Sequence, residues 1–214
     1  MENRSHDTEV SEPQSREDRV NVERETAGAD PAHGPWLMLI YRVPSDSSRA
    51  RVAVWRDLKR LGGLYVQQAV CVLPDSGALR ASLAAVRERI EELGGSSVFI
   101  TLRDIEPEAS AQFVAGFRAN AAKEYAEIIE ECDTKFLKEI EFERFRENYT
   151  FEEAEEIRQD LEKLRRWLDK VEGRDWLSAP GRDLARARVD HCEHQLEQFE
   201  ADIYERISAG ENLV

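Results

Sequence analysis

The sequence has few cysteines and no long apolar run. Its three cysteines, Cys71, Cys132 and Cys192, lie about 60 residues apart and form no CxxC pair, so a disulfide framework is not expected. No stretch approaches the roughly 18 consecutive apolar residues that a membrane helix needs, and the first residues show no charged-then-apolar leader pattern. These absences predict a cytoplasmic protein with reduced thiols and no membrane association.

The sequence also lacks the motifs of the common enzyme classes. It contains no GxSxG, no phosphate-binding loop, no GxGxxG after a strand and no HExxH, and these motifs carry the chemistry of many hydrolases, kinases and dehydrogenases. Of the four histidines, only His191 and His194 lie outside the polar N-terminal segment. They are one helical turn apart, but two ligands do not make a metal site. We therefore expect no enzyme activity, no cofactor and no bound metal.

The chain has fewer basic than acidic groups, but the charge is distributed unevenly along it. The chain of 214 residues has a formal charge of −14, which by itself argues against contact with a polyanion. Residues 1–35, 36–105 and 106–214 carry net charges of −5, +3 and −12. The middle segment is therefore the candidate for contact with an anion.

Residues 1–34 are polar and charged, with only scattered Val and Ala. Such a composition buries too little apolar surface to offset the entropy of ordering. We expect a disordered tail over 1–34.

Residues 36–105 show the pattern of a small α/β domain. The apolar run Trp36–Val43 is closed by Pro44 and predicts a buried strand. Short apolar runs at 64–66, 69–73 and 97–102 predict further strands, and helices are predicted at about 49–61 and 77–93. In the first helix, a three-residue spacing favours an inner face of Val52, Trp55, Leu58 and Leu61. The resulting β-α-β-β-α-β order predicts a ferredoxin-like fold with two helices on one face of an antiparallel sheet.

Residues 106–210 change to a helical period. Apolar residues from Phe113 to Ile140 follow three- and four-residue steps, which predicts one helix of up to about 40 residues, with or without a kink. Thr150 begins a capping-box-like start for a second helix, and a loop over 173–181 leads to a third. Cys132 and Cys192 fall on these apolar seams, where cysteine usually acts as a small buried hydrophobe, although thiols also react with oxidants. The predicted class is α+β, with the α/β domain followed by a long antiparallel three-helix bundle or hairpin.

A basic cluster surrounds the first predicted strand and helix. Between residues 42 and 60, six basic groups face two acidic ones, a local excess of +4. Guanidinium groups bind phosphates and small tetrahedral oxyanions through paired hydrogen bonds. An equally weighted alternative is that the cluster docks on the acidic bundle of the same or a neighbouring chain. The candidate binding residues are Tyr41, Arg42, Arg49, Arg51, Arg56, Lys59 and Arg60.

These segments resemble a known family. The stretch LMLIYRVPSDSSRARVAVWRDLKRLGGLYVQQAVCVLP, with its Y-R-V-P and V-x-V-L-P blocks, resembles the start of the ChrB chromate-resistance proteins and is similar to the middle domain of PaaX-type repressors. The blocks Leu164-Arg165-Arg166-Trp167-Leu168 and Arg174-Asp175-Trp176 resemble the second half of the ChrB N-terminal region. The likeness covers about 36–208. It implies a regulator that senses chromate and controls efflux genes, with DNA contact through basic residues.

Three functions follow from these observations. The first is a chromate-resistance, transcription-associated factor, oligomeric and binding DNA, chromate or another oxyanion through the basic cluster. The second is a non-catalytic interaction module that recruits a partner through the acidic helical bundle. The third is a metal-assisted hydrolase using His191 and His194. PaaX middle domains also resemble CRISPR adaptation nucleases, which place an Asp at the end of the first strand, but Arg42 stands there in this chain, so nuclease activity is not expected.

Overall fold

The structure is a computed structural model that describes residues 34–44 and 48–210. The tail predicted over 1–34 therefore lies almost wholly outside the described residues. The chain is a mixed α/β protein in which helices account for most of the described residues. No helix within the described ranges is long and apolar enough to cross a membrane.

Four strands form one antiparallel sheet, as the apolar runs predicted. They are β1 (Trp36–Arg42), β2 (Leu64–Gln67), β3 (Val70–Pro74) and β4 (Ser96–Leu102). The spatial order is β2-β3-β1-β4, and every neighbouring pair is antiparallel. Helix α1 (Ser48–Arg60) connects β1 to β2, and α2 (Gly77–Glu92) connects β3 to β4. The elements of this part therefore follow one another as strand, helix, two strands, helix and strand.

One face of the sheet packs against α1 and α2. Leu37 and Leu39 point to this face because side chains alternate along a strand, and both are fully buried against Leu58, Leu83 and Ile90. Helix α2 begins where the Ser76 hydroxyl accepts a hydrogen bond from the Leu79 backbone N–H at 3.2 Å. This cap satisfies one of the free donors of the first turn.

The inner face predicted for α1 is correct at Leu58 and Leu61, which pack in the core under the helix, and wrong at Val52 and Trp55. Val52 and Trp55 are 44% and 47% exposed, whereas Ala50, Val54 and Leu58 point inward, with Asp57 beside them. The buried Asp57 carboxylate bonds Arg60 at 3.1 Å and Arg89 of α2 at 3.0 Å. Because paired carboxylates can be buried, an acid occupies the inner face and two large apolar side chains lie outside.

The helices that follow form the predicted long hairpin and third helix. They are α3 (Pro107–Glu131), a π-helical segment (Cys132–Phe136), α4 (Leu137–Phe145), α5 (Phe151–Glu172) and α6 (Arg182–Ser208). The first three are continuous, so one helix of nearly 40 residues is confirmed. Thr150 caps α5 by accepting a hydrogen bond from the Glu153 N–H at 3.3 Å. The apolar stripes of all these helices share one core, which contains Ile128, Ile140, Leu164, Val189 and Phe199.

The π-helical segment keeps the apolar stripe aimed at this core. Ile128, Cys132, Phe136 and Ile140 follow one another at steps of four residues, and all are buried. In a straight α-helix each such step rotates the side chain by about 40° past a full turn. A π turn holds more residues per turn and absorbs part of this drift, so the stripe remains buried.

The start of α3 covers the second face of the sheet. Trp36 of β1 is fully buried there, stacked on Phe117 and edge-on to Phe113, with ring centroids 5.6 Å apart in both pairs. Leu177, from the loop between α5 and α6, completes this cluster. Apolar contacts therefore join the α/β part, which was predicted to end at residue 105, to the helical part that follows it.

The loop 173–181 of the helical part contacts the end of α1. The indole N–H of Trp176 donates to the Leu61 carbonyl at 3.2 Å. At this junction Gly62 has φ +73°, a left-handed conformation that favours glycine, and a Cβ at position 62 or 63 would collide with its neighbours. The two glycines that end α1 therefore allow its close contact with the loop.

Candidate anion-binding groove

The outer face of α1 carries a basic stripe around an exposed aromatic ring. At 3.6 residues per turn, Arg49, Arg56 and Arg60 lie on one line of the helix, and Lys59 and Trp55 lie beside it. The buried positions occupy the opposite side of the helix. The helix holds five basic residues against one acidic residue, Asp57, and thus presents four positive charges in excess.

The second half of this stripe forms one wall of a groove, which we call the α1–α3 groove. Trp55, Arg56, Lys59 and Arg60 face Asn120, Lys123, Glu124 and Glu127 of α3, and Arg174 lies at one end. The groove has a volume of about 490 Å³. This size suits a phosphate group or a small oxyanion with part of its attached molecule.

Five basic and two acidic side chains line the α1–α3 groove, and the acids are already paired. Glu124 forms a salt bridge with Arg174, and Glu127 with Lys123 at 3.8 Å. On the α1 side, Arg60 bonds Asp57. Neither Arg56 nor Lys59 forms an ion pair with a carboxylate of the described residues. The positive potential of this wall is therefore not neutralised by the acidic helices that pack beside it.

The structure separates the seven predicted binding residues into four places. Arg56, Lys59 and Arg60 line the groove together. Arg49 and Arg51 are exposed on the first turn of α1, and Arg42 is exposed at the end of β1, opposite Ser96. Tyr41 lies apart, half-buried on the helix-covered face of the sheet.

Tyr41 has a packing role that its position at the strand end did not indicate. Its hydroxyl hydrogen-bonds the Tyr65 hydroxyl at 2.9 Å. Burial raises the pKa of both phenols, and for Tyr65 the hydrogen bond adds to this effect. The two groups thus remain neutral and hold β1 and β2 together across β3.

Sequence reasoning missed several groove residues. Asn120, Lys123 and Arg174 are remote from α1 in the chain, and no local pattern joins them to it. Trp55 was also missed as a groove residue, because the periodicity of α1 assigns it to the core. An exposed aromatic ring beside cations can stack on a nucleobase or hold a guanidinium group in place.

The histidine pair shows no site of comparable quality. His191 and His194 are exposed on α6, and His194 contacts Gln198 at 3.0 Å and Glu197 at 3.6 Å. Over residues 34–44 and 48–210, no group of three or more His, Cys, Asp or Glu side chains could hold a metal ion.

The chain is similar to one family of known proteins. A family model described as Protein ChrB, N-terminal, matches residues 51–210. The curated Protein ChrB of Cupriavidus metallidurans is 28% identical over 92 residues, which are 43% of this chain and 28% of that protein. The chain thus aligns with less than a third of the length of the curated relative. No solved structure matches it.

Proposed function

Because the chain belongs to the ChrB N-terminal family, a family associated with chromate resistance, we propose that it is a transcription-associated regulator that contacts DNA through α1. The observation that supports the proposal is that Arg56 and Lys59, which lie beside the exposed Trp55, have no carboxylate partner among the described residues. Lysine and arginine side chains gain affinity for DNA by releasing the counterions of its phosphates. Arg60 and Arg174, which are held in short salt bridges, have less to gain than Arg56, Lys59 or the loosely paired Lys123.

The acidic remainder of the chain supports a single orientation on DNA. The overall charge of −14 repels a polyanion from most of the surface, whereas α1 attracts it. Opposite potentials on two sides of a molecule steer its approach. Arg49 on the first turn and Lys123 across the groove extend the contact beyond the central pair.

We also propose that the α/β part belongs to the ferredoxin-like class. The observed element order and the strand order β2-β3-β1-β4 support this assignment, because a split βαβ arrangement places β3 between β1 and β2 and pairs β4 with β1. A cytoplasmic location is part of the same proposal and is supported by three cysteines that form no disulfide.

The test is binding of the purified chain to its own upstream DNA. The variant Arg56→Gln/Lys59→Gln should weaken binding about tenfold or more, since each lost phosphate contact removes part of the electrostatic free energy. The matched control is Lys163→Gln/Arg166→Gln on α5, which removes the same charge from two exposed side chains that do not line the groove. Equal binding by both variants, or a gene deletion that leaves chromate sensitivity unchanged, would contradict the proposal.

The same groove can instead hold a free oxyanion. Chromate and sulfate are tetrahedral dianions, and guanidinium groups bind such anions through paired hydrogen bonds. If the groove senses chromate, calorimetry should detect chromate binding that is lost in the Arg56→Gln/Lys59→Gln variant. In that case chromate should also compete with DNA.

A second candidate function is a docking module, which the far end of the bundle favours. We define the aromatic tip as Phe142, Phe145, Phe151 and Tyr204. Phe145 is 84% exposed, and Phe151 stacks edge-on against Tyr204 with centroids 5.3 Å apart. Apolar patches of this kind mark protein interfaces, and a second copy of the chain could bury the tip about a two-fold axis.

Sedimentation equilibrium tests this second candidate. Phe145→Ser should shift a dimer toward monomer, whereas Leu184→Ser, which is also on an exposed apolar position, should not. A monomeric parent chain at tens of micromolar would contradict the docking role of the tip.

A further inference from the structure

Two of the three cysteines meet inside the helical core. Cys132 is the first residue of the π-helical segment and Cys192 lies midway along α6. Both are fully buried in the same apolar cluster, where the π-helical segment packs against α6, and each thiol is close enough to shift the pKa of the other. Two thiols that face each other across a helix interface at short range can form a disulfide bond.

A charged pair holds this interface together beside the thiols. Arg188 lies one turn before Cys192 on α6, and its Nε is 3.6 Å from the carboxylate of Asp133, the residue after Cys132. That Nε atom is buried and has no hydrogen-bond partner in the described part of the chain. A donor of this kind is available to an anion that forms nearby.

The two thiols are not equivalent. The Cys192 thiol lowers the pKa of Cys132, and Arg188 acts in the same direction, whereas burial and the Asp133 carboxylate oppose the shift. The Cys132 thiol raises the pKa of Cys192, and burial adds to this effect. Because the thiolate is the reactive form of cysteine, Cys132 is the thiol that attacks first in the reaction set out below.

Cys71 provides an internal contrast. It is buried beneath the end of α1, where burial raises its pKa to about 12. It makes no contact with a second thiol among the described residues. Cys71 is as buried as the other two cysteines, and the difference is that, in the described part of the chain, it has no second thiol beside it with which to form a disulfide.

We propose that Cys132 and Cys192 form a reversible intramolecular disulfide when the chain meets a two-electron peroxide oxidant. Cys132 begins the π-helical segment, and π turns inside α-helices are frequent at functional sites. The proposal is independent of the function assigned to α1.

The chemistry balances with one peroxide molecule. The Cys132 thiolate attacks one oxygen of hydrogen peroxide and breaks the O–O bond. One water leaves with the Cys132 proton, and a sulfenic acid remains. The Cys192 sulfur then attacks the Cys132 sulfur, which forms the S–S bond and breaks the S–O bond. The departing hydroxide takes the Cys192 proton as a second water, so two thiols are oxidised and one peroxide is reduced.

The disulfide would tie the long α3–α4 helix to α6. It would close a loop of about 60 residues and so restrict the unfolded chain, which stabilises the bundle. A dithiol reductant reverses the bond by exchange.

The test is a thiol count on the full chain, denatured after treatment with a small excess of hydrogen peroxide. The parent chain should fall from three reactive thiols to one, and Cys71→Ser should fall from two to none. Cys132→Ser should retain both of its remaining thiols. Peptide mapping of the oxidised parent chain should show the 132–192 crosslink, a measurement that does not depend on the folding of any variant.

Three results would overturn the proposal. They are a parent chain that keeps three thiols, a crosslink that involves Cys71 or joins two chains, and oxidation of Cys132 beyond the sulfenic acid with Cys192 unchanged. Recovery of three thiols after treatment with dithiothreitol would support it, because only a disulfide or a sulfenic acid is reduced in this way.

Discussion

Replacing Asp57 with Asn should weaken the fold and tighten anion binding at the same time. The Asp57 carboxylate is buried under α1, and two arginines from different helices bond it at 3.1 and 3.0 Å. Its side chain is 11% exposed, whereas those of Arg60 and Arg89 are 72% and 51% exposed. The asparagine retains one acceptor oxygen but removes the charge that both guanidinium groups share.

The expected cost to stability is moderate. Breaking a fully buried ion pair costs about 3–5 kcal/mol, but here both arginines can regain water. We therefore expect a loss of about 1–2 kcal/mol in the free energy of unfolding. For a chain of this length, that corresponds to a fall of roughly 2–8 °C in Tm, measurable by circular dichroism.

The expected gain in binding follows from Coulomb's law. For a phosphate that binds at about 8 Å from the carboxylate, removing one negative charge is worth about 0.5 kcal/mol in water, or roughly a twofold tighter Kd. Fluorescence anisotropy with a labelled duplex, well below Tm, measures this change. The control is Arg89→Gln, which breaks only the α2 bridge and should destabilise the chain without tightening binding. An Asp57→Asn variant that keeps its Tm, or that binds more weakly while folded, would refute the reasoning.

Three further substitutions test two packing contacts and one ion pair. Gly63→Ala should cost about 1–3 kcal/mol in chemical unfolding, since its Cβ would meet the Cys71 sulfur; an unchanged midpoint would show that the end of α1 can shift. Trp36→Ala should cost about 3–5 kcal/mol, with Trp36→Phe as the milder comparison. Arg186 lowers the pKa of Glu172, so this carboxylate stabilises the fold above its unfolded pKa near 4.5, and that stability is lost as the pH falls. Glu172→Gln should flatten this acid dependence of Tm, and a parallel curve would contradict the assignment.

Local patterns were sufficient to predict most elements of the fold. The apolar run at Trp36, the glycines after α1 and the Thr150 cap each depend on neighbours within a few residues, and each lies where the sequence placed it. The long helix made of α3, the π-helical segment and α4 was also predictable, because its apolar stripe continues from Phe113 to Ile140 without a break.

The inner face of α1 could not be predicted in the same way. Periodicity assigns Trp55 to the core and Asp57 to solvent, and only the contact of Asp57 with Arg89, which is 32 positions later in the chain, reverses this choice. The interaction that decides the face is therefore non-local. The exposed position of Trp55 follows from it.

The candidate sites show the same limit. The α1 half of the groove was visible as a basic cluster, but Lys123 and Arg174 join it only through the packing of α3 and the loop after α5. Cys132 and Cys192 were each recognisable as core residues. That they meet depends on the pairing of two helices and on a π turn, neither of which a single seam shows.

We propose that a few basic side chains of α1 and of the α1–α3 groove bind DNA phosphates. The most direct test is the dependence of the observed binding constant on salt concentration. With about four phosphate contacts, from Arg49, Arg56, Lys59 and Lys123, the slope of log Kobs against log salt should be about −3.6. Arg56→Gln/Lys59→Gln should reduce it to about −1.8, and Lys163→Gln/Arg166→Gln should leave it unchanged. A parent slope near zero, or an equal change in both variants, would contradict the claim.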